Sequence, residues 1–224
     1  MRRSNRLGVV GTTVVASLLL TGCKNRGGSM PIDAAGLTQD DVASMSLHEE
    51  FDAYRQRYHH MQGLLADVQR SVNAGPWRWI GGDRVPGIGG DGLKPLPGAD
   101  TLNSYDLRTD RNWSPPNATG DQQDLRPMLE YFDEQGWRHY EGHPGRDHDT
   151  WAKTDDGWQI EYIVRPDGNY SLTVFSELFW TNDDLALMEA VGGRSDGVYP
   201  DESLPGEYPP FPDWDDPIVN PPKI

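Results

Sequence analysis

The sequence predicts an α+β domain, with a long amphipathic helix and a second helix packed on one face of a four-stranded antiparallel β-meander. Three observations predict it. Leu47, Phe51, Tyr54, Tyr58, Met61, Leu65, Val68 and Val72 step by fours and threes, which places them on one helical stripe. Arg165-Pro166-Asp167-Gly168-Asn169 reads as a type I turn closed by a left-handed glycine. Pairing across that turn sets Val164 opposite Tyr170, Tyr162 opposite Leu172 and Ile160 opposite Val174, all on one face, so turn chemistry and alternation choose the same register.

Taken in order, the elements begin with a short helical turn at Thr38-Gln39-Asp40-Asp41. Ser46 and Glu49 then fit a capping box for the long helix, and Gly75-Pro76 ends it. The stripe is expected to pack on the domain's own sheet. A coiled-coil seam has the same spacing, but two tyrosines suit a broad buried face better than a narrow seam. Trp77 and Trp79 alternate as in a short strand. Residues 81–120 are rich in Gly, Pro, Asn and Asp and read as a long irregular excursion. Within it, the glycines from Gly87 to Gly92 lack the strand, helix and lysine spacing of a phosphate-binding loop, Lys94 lying outside that spacing.

The second helix is expected from about Asp121 to Gln135, with Leu125, Met128, Leu129 and Phe132 on one face and Gly136 as its C-cap. Strands follow at 137–141, 150–154, 158–165 and 170–179. Alternation leaves open whether Trp151 or Ala152 faces the core. Asn182-Asp183-Asp184 caps a short helix stopped by Gly192-Gly193, which closes a domain spanning 38–193. Residues 194–224 hold eight prolines and read as an acidic, extended tail, pinned to the domain by Phe211 and Trp214.

The N-terminus reads as a secretory signal. Arg2, Arg3 and Arg6 precede an apolar run from Leu7 to Leu20, which is too short to span a bilayer. The run ends in Leu20-Thr21-Gly22-Cys23, a sequence similar to the lipobox of bacterial lipoproteins, in which the thiol is diacylated and cleavage precedes the cysteine. The expectation is a cleaved signal over 1–22 and a lipid-anchored tether over 23–37, placing the chain on the extracytoplasmic face of the cell membrane. Cys23 is the single cysteine, so the domain has no intramolecular disulfide and no cysteine metal site. Loss of 1–22 removes three arginines and no acid, so the formal charge falls from −15 to −18. Such a chain lacks the basic footprint that nucleic-acid binding requires. Anionic headgroups repel it, so the membrane partner must be reached through the covalent lipid.

The order of parts resembles the small LppA-type lipoproteins of actinobacterial envelopes. The resemblance rests on the lipobox, the tether, a lead-in at Leu37-Thr38, the long helix and the break Gly75-Pro76-Trp77-Arg78-Trp79, followed by a second helix, a meander and a Pro-rich tail. It spans about 36–80 and 125–180. It implies a fold type and an envelope location, and it transfers no functional residue.

The densest polar set is His139, Glu141, His143, Asp147, His148 and Asp149. His139, Glu141 and His143 would share one face of a strand, and two imidazoles with a carboxylate can ligate zinc. Pro144-Gly145 breaks that strand, so the three are expected to diverge, with no metal or other cofactor held. His59-His60 point off the apolar stripe and read as surface residues. No Gly-x-Ser-x-Gly elbow is present. Adjacent carboxylates such as Asp155-Asp156 fit turn roles better than acid/base pairs. Trp77, Trp79, Trp113, Trp137, Trp151, Trp158 and Trp180 supply contact residues, about half of them expected in the core. The expected function is a non-catalytic binding or interaction module whose partner is an envelope protein or the cell wall. The alternatives are a metal-dependent hydrolase centred on 139–149 and a purely structural envelope protein.

Overall fold

A computed structural model describes residues 30–81, 83–89 and 96–220; residues 1–22, which read as a signal, Cys23 and Lys94 lie outside the described residues. Thr38 caps α1 (Gln39–Ala43) and Ser46 caps α2 (Leu47–Val72), each through a reciprocal capping box. Phe51, Tyr54, Tyr58, Met61, Leu65 and Val68 are buried along one side of α2, while Leu47 in its first turn stays 37% exposed. A 3₁₀ turn over Gln122–Leu125 leads into α3 (Arg126–Gln135), which stops at Gly136 in the left-handed conformation. Asp183 caps α4 (Asp184–Gly192) by accepting from the Ala186 amide at 3.0 Å. No described helix is long and apolar enough to cross a membrane.

The sheet corrects the expectation of four strands. It has seven, in the order β10 (Glu202–Ser203), β1 (Trp77–Trp79), β4 (Arg108–Trp113), β8 (Tyr170–Phe175), β7 (Gln159–Val164), β6 (His148–Lys153) and β5 (Arg138–Gly142). Every described pairing is antiparallel. The β7–β8 hairpin pairs Ile160 with Val174 and Tyr162 with Leu172, the register that turn and alternation predict, and Gly168 takes φ +75°. A smaller sheet, β2 (Gly87–Ile88), β3 (Ser104–Asp106) and β9 (Phe179–Trp180), continues from the large one. The two join where the Leu107 amide donates to the Ser176 hydroxyl and the Ser176 amide to the Leu107 carbonyl, both at 2.9 Å.

The excursion over 81–120 is therefore structural. It supplies β4, which lies between β1 and β8 in the large sheet. The inward side of β4 carries Arg111, 1% exposed, a residue type that is almost never buried unless paired. Its partner is Asp83, equally buried, at 2.9 Å. The same Asp83 oxygen accepts from Gln62 of α2 at 2.8 Å and from the Thr109 hydroxyl at 2.7 Å. The Arg111 guanidinium lies 3.4 Å from the Trp79 ring centroid, a cation–π contact that completes the enclosure.

At both ends of the described chain, segments outside the expected 38–193 domain pack on it. Residues 30–37, read as tether, are docked: Ile32 bridges Thr38, and the Ala34 amide donates to the Leu178 carbonyl. Asp33 is buried and accepts from the amides of Ala35, Leu37 and Trp180. The tail adds β10 to the sheet edge, buries Phe211 against Phe51, Tyr54 and Tyr58, and stacks Trp214 on His48 at 4.6 Å.

Candidate functional site

Alternation along the strands sorts the large sheet into two faces. The inner face sets Ala152, Ile160, Tyr162, Leu172 and Val174 against the apolar sides of α2 and α3. Pairing of Ala152 with Ile160 settles the β6 alternative: Ala152 faces the core and Trp151 faces out. On the outer face, register aligns Asp110, Thr173, Glu161, Trp151 and Tyr140 in a row across β4, β8, β7, β6 and β5. That face is open among the described residues, with Tyr140 62% exposed and Arg78, Arg108, Arg138 and Lys153 also exposed.

The row has an aromatic half. The Tyr140 and Trp151 rings are parallel within 2°, with centroids 6.3 Å apart, and Phe175 meets Trp151 edge-on at 5.6 Å. Beside the rings stand three carboxylates in different states. Asp110 is fully engaged, by Nε and Nη2 of Arg108, each at 2.9 Å, and by the Thr173 hydroxyl at 2.6 Å. Asp149 accepts from the Trp151 indole N–H at 2.9 Å through one oxygen. Its other oxygen sits over Gly142, where an added Cβ would be 2.1 Å away, and has no hydrogen-bond partner among the described residues.

Glu161, between them, makes no hydrogen bond or ion pair among the described residues. Partial burial raises its pKa, and Asp149 and Asp110 push the same way against the lowering effect of Arg108 and Arg165. The Tyr140 hydroxyl is raised for related reasons, burial first and then the charges of Asp149 and Glu161. The face thus combines ring surfaces with the Glu161 carboxylate, whose oxygens lack donors among the described residues. Chemically it can pack the C–H side of a ligand and accept hydrogen bonds from hydroxyl or amine groups.

The histidine set of 139–149 does not assemble. His139 packs on Phe132, with Nδ1 3.2 Å from the Trp137 carbonyl and Nε2 3.9 Å from Asp133. Glu141 accepts from the Gln122 amide group at 2.8 Å. His143 lies beyond the end of β5, stacked on His148 at 4.5 Å, with Nδ1 2.8 Å from the Asp147 carbonyl. Among the described residues no group of three or more His, Cys, Asp or Glu is placed to hold a metal ion.

His60, expected as a plain surface residue, has a partner that sequence spacing does not disclose. Its Nε2 lies 2.9 Å from Asp156, in the turn between β6 and β7, and the Thr154 hydroxyl donates to the other Asp156 oxygen at 2.5 Å. The carboxylate is therefore in the middle. A hydroxyl nucleophile needs the imidazole there, so this trio is not wired for acyl transfer. It borders a pocket of about 330 Å³ that also includes Arg57, Trp158 and Phe179. Of the tryptophans, Trp77, Trp158 and Trp180 are buried, while Trp151 belongs to the open face. The chain matches no family model, no curated protein and no solved structure.

Proposed function

We propose that the chain is a lipid-anchored envelope lipoprotein of the LppA-like type, held at the membrane through Cys23, and that it serves as a non-catalytic binding module for a cell-wall glycan. One observation carries the reading: the seven-stranded sheet keeps one face open, and towards its β5 edge that face sets the parallel rings of Tyr140 and Trp151 beside the Glu161 carboxylate, which has no donor among the described residues. Sugar rings present C–H faces to aromatic side chains and hydroxyls to carboxylates, so the two halves of the row match the two kinds of surface a glycan offers. The lipobox and basic n-region support the location.

Co-sedimentation with insoluble cell-wall glycan tests the binding face. The full chain should pellet with the polymer, and Tyr140→Ala with Trp151→Ala should lower apparent affinity by about tenfold or more, or about 1.4 kcal/mol, without lowering Tm. Equal pelleting of the double variant would reject the glycan reading. Cys23→Ser should move the protein from the membrane to the soluble fraction. Retention after a high-salt wash would reject lipid anchoring.

A further inference from the structure

We propose that the pocket beside Arg57 binds a small organic anion, with a carboxylate or phosphate head on the Arg57 guanidinium and an apolar body against the wall that Ala34, Ala53 and Trp158 form. The site is separate from the open sheet face and does not depend on the glycan reading. Arg57 projects from α2, half-buried, with its guanidinium carbon 4.1 Å from the Phe179 ring centroid and 5.7 Å from that of Tyr105. It donates to the Tyr105 hydroxyl and makes no other hydrogen bond among the described residues. A guanidinium has five N–H donors in a planar fork. One flank is thus covered by a ring, one donor is used, and Arg57 lines a pocket of about 330 Å³.

The chain carries 35 acidic residues against 20 basic ones, so a half-buried arginine without an ion-pair partner calls for a reason. The carboxylates around it are committed elsewhere. Asp33 is held by three backbone amides. Glu50 accepts from the Thr181 hydroxyl and from the Asn182 amide and side chain. Asp156, on the pocket rim, is held by His60 and Thr154. None of the three lies within ion-pair distance of Arg57. The Arg57 fork suits carboxylate or phosphate oxygens bidentately, whereas the wall of Ala34, Ala53 and Trp158 suits an apolar body. The volume is at the lower end of the range for small-molecule sites.

The test is NMR on the full chain, following the Trp158 indole N–H, assigned through Trp158→Phe. Benzoate and hexyl phosphate are the anionic probes, and benzyl alcohol is the neutral match for benzoate. Both anions should shift that resonance saturably, and benzyl alcohol should bind at least about tenfold more weakly. Arg57→Gln should weaken benzoate about tenfold or more, while Tyr105→Phe, which removes only the hydroxyl that Arg57 donates to, should stay within about threefold. If Arg57→Gln fails to fold, the benzoate-to-benzyl alcohol ratio on the unaltered chain decides the matter. Absence of any shift at about 20 mM benzoate, equal binding of benzyl alcohol, or unchanged binding by folded Arg57→Gln would overturn the proposal. A response to phosphatidylglycerol vesicles with none to either soluble anion would overturn it too, since the ligand would then be a headgroup in a membrane.

Discussion

Asp184 opens α4 with only 3% of its surface exposed, and one of its carboxylate oxygens has no partner among the described residues. Burial, followed by the charges of Asp183 and Asp106, raises its pKa from the ordinary 3.8 to about 6. The sign follows from linkage: between those values the folded chain keeps a proton that the unfolded chain releases, so stability declines as pH rises from about 4 to about 6. Above that window the ionised group is a standing penalty. Asp184→Asn should therefore raise stability at pH 7 by about 1 kcal/mol and give no gain near pH 4. Thermal melts at the two pH values check this, and an equal gain at both would mean that charge is not the cause. None of this was legible in the sequence, where Asp184 looks like any first-turn acid favoured by the helix dipole.

The interlock of Asp83, Arg111, Gln62 and Thr109 ties a loop, β4 and α2 together at one carboxylate oxygen. Removing one charge strands the other in the core, which costs more than removing both. Arg111→Met should destabilise by about 3–5 kcal/mol, and adding Asp83→Leu should restore most of that loss. Chemical denaturation of the two single variants and the double variant measures the coupling. The interlock also explains why β4 is unreadable while β5 to β8 are nearly all placed within two residues. Ile160, Tyr162, Leu172 and Val174 alternate with polar residues around a recognisable turn. In β4 the inward residues Thr109 and Arg111 are polar, and the partner that neutralises Arg111 lies far back in the chain. Local alternation cannot report a charge cancelled by a distant segment. The candidate row shows the same division: Trp151 and Tyr140 fall on expected strands, but their outward orientation needed the β6–β7 register, and the Asp110 neighbour needed β4.

At the scale of the molecule, residues 30–37 and 194–220, at the two ends of the described chain, belong to the fold. Phe211 is 8% exposed and fills the side of α2 formed by Phe51, Tyr54 and Tyr58. Phe211→Ala should cost about 3 kcal/mol and speed proteolysis of the segment after Ser203, as read by Tm and by time-resolved digestion. A Tm shift under about 0.5 kcal/mol equivalent would mean that the segment rides on the surface. Composition alone gives a Pro-rich, acidic stretch no core of its own, and the aromatic side of α2 formed by Phe51, Tyr54 and Tyr58 supplies one.

The clip at Asp33 has a consequence for reach. A leash running from Cys23 to Leu37 could extend about 50 Å, but docking of residues 30–37 leaves only 23–29, which can span at most about 25 Å. If Cys23 is acylated as proposed, the domain could not forage through the wall. Under the proposed anchoring it would patrol a shell about as deep as its own radius above the bilayer, and a ligand of the proposed binding face would have to be growing, leaving or arriving at the membrane surface itself.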